Sequence, residues 1–249
     1  MSAQGPGDDI AAIERSTLAG VQPQALEELQ SWLLALDDGT VGRAHSAVPL
    51  SHTAPAAGLL PAIVERYAAH GLSPVLRVPR KPAYDAFRAL LAGAGFHASK
   101  PTLAQLGTVA AMAQVARPDG VTLADAPDAH WAAVFMGEGF DPADGESRMA
   151  ILRRSPCNVF ASAWLDGRVA AVGSASFAHG WVGVHGMRTA PAQRGRGLAG
   201  RILAALAEEA QRRGFGSAVL QVEEPNTGAR SLYRRAGFST AWAYEYWLR

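Results

Sequence analysis

The chain has 249 residues, 49% of them apolar, with 23 basic and 22 acidic side chains and a formal net charge of +1. That apolar fraction supplies a packed core and excludes disorder over most of the length. The near-neutral charge gives no bulk attraction to nucleic acid or membrane, and a single cysteine, Cys157, excludes an internal disulfide framework or a multi-cysteine metal site. The length suits one large domain or two small ones. No apolar run approaches the ~18 residues that span a bilayer. Residues 1–8 form a polar, glycine- and proline-containing lead without an export signal, so a soluble cytoplasmic protein is expected.

In chain order, residues 21–35 place Leu26, Leu29, Leu33 and Leu34 at helical spacing, and Asp37-Asp38-Gly39 ends the pattern. Residues 41–50 read as extended. Residues 58–70 predict an amphipathic helix stopped by Gly71, 75–78 a short strand, and 83–94 a helix ending at Gly95. Residues 103–115 read as a strand of mixed period. Helices are predicted at 128–136 and 143–152 around a polar turn at 137–142. Three strand-like runs follow at 159–165, 169–177 and 181–187, punctuated by the hairpin pairs Asp166-Gly167 and His179-Gly180. A helix over 199–213, a strand over 218–222, a helix over 226–236 capped by Asn226, and a final strand over 238–248 complete an α+β or α/β layer.

A faint repeat runs through the chain. Thr53-Ala54-Pro55-Ala56 returns as Thr189-Ala190-Pro191-Ala192, His70-Gly71 before Val75-Leu76-Arg77-Val78 matches Arg213-Gly214 before Val219-Leu220-Gln221-Val222, and Gly95-Phe96 matches Gly237-Phe238, at offsets of 136 to 144 residues. The second copy carries extra residues, Gln193-Arg194-Gly195-Arg196-Gly197, between strand and helix. This basic glycine-rich loop opens a helix, whose first turn offers free N–H groups and the positive end of its dipole. Gly195 and Gly197 would let an anion approach the main chain. The arrangement points to a phosphate or pyrophosphate site. A dinucleotide fingerprint does not fit, because Arg188 to Arg194 separate the first glycine from the strand. A Walker A loop lacks its Gly-Lys-Ser/Thr.

Arg194-Gly195-Arg196-Gly197-Leu198-Ala199 resembles the Arg/Gln-x-x-Gly-x-Gly/Ala signature of the GNAT N-acetyltransferases. The flanking Met187-Arg188-Thr189-Ala190-Pro191, and Asn226, Ala229, Leu232-Tyr233 and Gly237-Phe238 downstream, resemble the same family, over about residues 103–249. The resemblance implies a mixed, mostly antiparallel twisted sheet flanked by helices. It divides the chain into a lead (1–8), a degenerate GNAT-like half (9–102) that has lost the phosphate loop, as in bacterial tandem members, and a catalytic domain (103–249). It implies acetyl-CoA as cofactor. The backbone of Met187, Arg188 and Thr189 would hold the pantetheine arm, the N–H groups of Arg194 to Ala199 the pyrophosphate, and Asn226 the arm or the last helix. Tyr233 occupies the place of a general acid for the thiolate. The expected reaction is direct attack by a primary amine of a small molecule or amino acid in a ternary complex, in a monomer built as a pseudo-dimer or in a homodimer.

Three further positions remain open at this level. His185, two residues before Met187, would share its strand face and could serve as base, or could be a histidine packed under the cofactor. Glu223, with Glu224, follows a strand and could face the cleft or simply be solvated. Arg43, His45 and Ser46, in Gly39–Ser46, could reach substrate or form a structural turn. Tyr233 itself could be a core aromatic. A CoA-binding regulatory or scaffold protein is the competing function. An RNA-binding module is disfavoured by the near-neutral charge and the missing aromatic motifs.

Overall fold

A computed structural model describes residues 9–137 and 141–249; the expected lead and the middle of the expected 137–142 turn lie outside them. Helix α1 (Ile10–Ala19) comes first, capped by Asp9, whose carboxylate accepts from the Ala12 N–H. The segment expected as one helix over 21–35 is instead a hairpin, β1 (Ala25–Leu29) and β2 (Trp32–Leu36), turning at Gln30 with φ 55°. The reason is burial. Trp32 to Leu36 are covered on both faces, and a continuous apolar run of that length is as compatible with an interior strand as with a helix. Strand β3 (Ala47–Pro49), helix α2 (Leu59–Ala69), β4 (Leu76–Pro79), α3 (Asp85–Gly93) and β5 (His97–Thr108) follow. The run expected as strand to 115 breaks at Thr108, whose hydroxyl caps the short helix α4 (Val109–Ala113).

The remaining elements are β6 (Val121–Ala124), α5 (Ala129–Phe135), α6 (Pro142–Arg154), β7 (Asn158–Leu165), β8 (Arg168–Ala178), β9 (Trp181–Thr189), α7 (Leu198–Arg212), β10 (Ser217–Glu223), α8 (Thr227–Arg235) and β11 (Ser239–Leu248). Both predicted hairpin turns form with positive φ at each residue pair, 50° and 74° at Asp166-Gly167 and 51° and 78° at His179-Gly180. Asn226 caps α8 through the Ala229 N–H at 3.1 Å.

All eleven strands among the described residues join one mixed, mostly antiparallel sheet in the order β1-β2-β3-β4-β11-β5-β10-β9-β8-β7-β6. Apart from β6, that order is a palindrome. The succession β1-β2-β3-α2-β4-α3-β5 recurs as β7-β8-β9-α7-β10-α8-β11, and in each copy the third and fourth strands are parallel. The last strands are exchanged: β11 pairs with β4 of the first copy, β5 with β10 of the second, and the two meet antiparallel at the centre. A division at residues 102/103 therefore cuts through β5.

Two apolar clusters fill the α2–α3 and α7–α8 side of the sheet. On the opposite face α1 lies across β8 and β9, and Ile13 packs with Ala104, Val219 and Trp242. Beneath it, Arg77 of β4 donates to Glu14 of α1 at 2.8 Å with both side chains almost fully buried, and the guanidinium lies 5.7 Å from the Tyr244 ring centre. Burial pushes the Glu14 carboxyl above its usual range against the pull of Arg77. Removing one member of such a pair leaves an uncompensated charge. Glu14→Gln should lower the unfolding free energy by about 3 kcal/mol or more in urea titrations; a double replacement by apolar residues of similar volume should recover much of the loss.

Candidate active site

Strands β9 and β10 pair only from Ser217 opposite Trp181 to Leu220 opposite Val184. Beyond Val184 they part. The cause is a bulge in β9: Gly186 and Met187 together oppose the single residue Gly173 of β8, and Gly186 sits at φ 59°. The extra residue also inverts the side-chain alternation. His185 therefore turns toward α1, against Gly20, whereas Met187 packs on Gly173 and Ile202 of α7. The expectation that His185 and Met187 share a face is overturned by this bulge.

The parted strands leave a cavity of about 330 Å³ that reaches both sides of the sheet. Toward α7 and α8 it meets Met187, Asn226, Ala229 and Tyr233; toward α1 it meets His185, Arg43, Gln221 and Glu223. The Tyr233 hydroxyl bonds to no described residue, and burial pushes it up to about 12. Arg188 also lines the cavity, donating to the Gly137 carbonyl at 3.1 Å.

The loop preceding α7 is exposed from Arg194 to Gly197, while Leu198 anchors its end in the core. Gly195 and Gly197 have φ of 78° and 74°, a conformation costly to any side chain. The first helical N–H to find a partner is that of Arg201, on Gly197. The N–H groups of residues 195 to 200 donate to no described residue. Six free donors beside Arg194 and Arg196 form an anion cradle at a helix N-terminus, and the part of β9 beyond its pairing with β10, Met187–Thr189, lies just upstream. These features fit the pyrophosphate and the extended amide arm of an acyl-CoA.

A second cavity, also about 330 Å³, adjoins the first through Val41, Arg43, Arg148, Gln221 and Glu223. Its other walls include His45, Lys100, Tyr244 and Tyr246. The segment 37–46 covers it. This segment is pinned to α6 by the Arg154–Asp37 ion pair and by the Thr40 N–H donating to the Ser147 hydroxyl at 2.9 Å, and Val41 and Ala44 pack on Ile151. Arg43 and His45 thus reach the cleft, and His45 also holds the turn through the Gly39 carbonyl at 2.8 Å. Ser46 does not reach it: the residue is 0% exposed, its hydroxyl has no partner among the described residues and it lines neither cavity. Glu224 is turned away into an ion pair with Arg80 at 2.7 Å.

His185 is bonded at both nitrogens. Arg43 donates to Nδ1 at 3.2 Å; a guanidinium can only donate, so the ring hydrogen sits on Nε2 and goes to the Ser176 hydroxyl at 2.8 Å. Burial and the Arg43 charge hold this histidine well below its usual range. It is a neutral positioning group for Arg43 rather than a free base. The sequence reading missed Gly186, Lys100, Gln221, Tyr244 and Tyr246; only a positive φ, a bulge or a distant strand pairing brings them here.

A bulged, splayed strand pair with an anion cradle on the following helix, in a sheet of this order, defines the GNAT acetyltransferase class in its tandem form. The chain belongs to the family described as Probable histone acetyltransferase Rv0428c C-terminal, which it matches over residues 8–247. It is similar to a GCN5-related N-acetyltransferase from Kribbella flavida, with TM-score 0.71 and 20% identity over 96% of this chain and 95% of that one. A tandem GNAT protein from the clavulanic acid biosynthesis pathway has TM-score 0.60 and 17% identity, over 97% and 95% of the two chains. The uncharacterized N-acetyltransferase YobR of Bacillus subtilis (strain 168) is 30% identical over 125 residues, 49% of this chain; the match spans about half (51%) of that relative's length. No helix among the described residues is long and apolar enough to cross a membrane.

His45, His52 and His185 are all depressed by burial, His52 to about 4. Below pH ~6.5 the unfolded chain takes up protons that the folded chain refuses, so stability falls as pH is lowered. The thermal midpoint should drop between pH 7 and pH 5, and His185→Asn should flatten that slope.

Proposed function

We propose that the protein transfers an acetyl group from acetyl-CoA to a primary amine of a small molecule or amino acid, with both substrates bound at once. The observation that carries this reading is the slot between β9 and β10. It opens on one side toward the anion cradle and Tyr233, and on the other toward a separate polar cavity. The two substrates can therefore approach from opposite faces and meet without a covalent enzyme intermediate. When bound, the CoA thioester supplies an activated acyl group.

The chain's own residues then have distinct tasks. The N–H groups of residues 195–200, with Arg194 and Arg196, hold the diphosphate, and β9 at Met187, Arg188 and Thr189, beyond its pairing with β10, orients the arm as an added strand. Asn226 fixes the first turn of α8 and so the height of Tyr233. The Tyr233 hydroxyl, without another partner among the described residues, donates its hydrogen toward the departing sulfur. Its raised pKa keeps that hydrogen in place at neutral pH. Glu223 accepts the amine proton directly or through water. Residues 9–102 act as the acceptor wall, since the corresponding loop, residues 53–58, is shorter and carries no arginine. On this reading a monomer suffices. A CoA-binding regulatory protein is the competing reading, and binding without turnover on any amine would favour it.

Three measurements test this assignment. Wild-type protein should release CoA from acetyl-CoA in an amine-dependent way. Tyr233→Phe should lower kcat about tenfold or more with little change in CoA affinity; an unchanged rate removes Tyr233 from the reaction. Gly197→Val, forcing a branched side chain to φ 74°, should weaken CoA binding about tenfold in calorimetry without unfolding the chain.

A further inference from the structure

The cavity on the α1 side carries a charge pattern that a generic amine site does not need. Among its described lining residues are three permanent cations, Arg43, Lys100 and Arg148, and one carboxylate, Glu223. Arg148 is neutralised by Asp144 at 2.9 Å. Arg43 is not. Among the described residues its single hydrogen bond goes to a neutral imidazole and no carboxylate lies within ion-pair distance of it; Glu14, which feels its charge, is committed to Arg77. Lys100, which is exposed, likewise has no ion pair among the described residues. A partly buried guanidinium with no counter-ion among the described residues is a ready seat for an anion from outside the chain.

We propose that the acceptor is an amino-acid-like molecule whose carboxylate binds Arg43 and Lys100 while its amine faces Glu223 and the slot. This rests on the acetyltransfer reading above and narrows its substrate class. A cavity of about 330 Å³ suits a single amino acid with its side chain against Tyr244 and Tyr246. The amine nitrogen forms a C–N bond to the acyl carbon as the C–S bond breaks. One amine proton passes to Glu223 or water, and the sulfur gains one from Tyr233 or solvent. Polyamines and lysine-rich peptides would bring further positive charge against Arg43 and Lys100. His185 acts as a positioning residue here, aiming Arg43 by accepting its hydrogen bond.

The test sets each of the twenty amino acids against its own primary amide, with a lysine-rich peptide as the contrasting acceptor, and reads CoA release and thermal stabilisation in parallel. Expected is at least one free acid with kcat/KM about tenfold or more above its amide, a preference lost in Arg43→Gln and reduced in Lys100→Gln. Lys100→Gln guards against misfolding of the more buried variant. Amides or the peptide equal to or better than the acids, or an acid preference that survives in both variants, would overturn the proposal. If nothing is turned over, the acetyltransfer reading fails by itself. The carboxylate site then stands if acids but not amides raise the melting temperature in wild type and not in Arg43→Gln, and falls if they do not.

Discussion

The exchange of the two terminal strands is the constraint on which the rest of the molecule depends. Each copy of the repeat ends in a strand that completes the other copy's edge, β11 against β4 and β5 against β10. Neither half can close its sheet alone, and the unpaired edges that would otherwise sit at the middle are removed. The exchange also fixes position. Tyr244 and Tyr246 come from the last ten residues, yet they line a cavity with Arg43 and His45 from the first fifty, because β11 lies within the first copy's sheet. Helix α1 reinforces the junction through the buried Arg77–Glu14 pair and the Asn158 amide on the Gly20 carbonyl at 3.1 Å.

Within that frame one inserted residue shapes the site. The bulge at Gly186–Met187 separates β9 from β10 and turns adjacent side chains to opposite faces. Where regular pairing would have closed the sheet, a passage remains. The anion cradle and Tyr233 lie on one side and the arginine-lined cavity on the other. The first copy keeps the parallel strand pair and a glycine of φ 77° before its helix, but its loop is shorter and lacks arginine. One copy thus carries the anion cradle, and the other contributes the segment that roofs the second cavity.

The legible parts of the sequence were those whose signal is local. Paired turn residues marked the β7–β8 and β8–β9 hairpins, helix-stop glycines marked α2, α3, α7 and α8, and the loop motif marked the cradle. The β1–β2 hairpin was not legible, because an apolar run buried on both faces has no period to betray it. Nor was the orientation of His185, since a bulge defeats period-two counting. Helix α1, with buried Glu14, Ser16 and Thr17 on its inner face, hid its packing side behind polar residues whose partners lie far along the chain.

By itself the sequence determined the repeat, the order of strands and helices in the second copy, and the glycine-rich loop that opens α7, because caps, turns and glycine-dependent dihedrals are set by residues a few positions apart. Only the tertiary structure decided that the terminal strands exchange, that Arg43 is half-buried with no counter-ion among the described residues, and that Ser46 stays out of the cleft. Those depend on pairings across 100 residues or more and on what each side chain finds, or fails to find, once water has been removed.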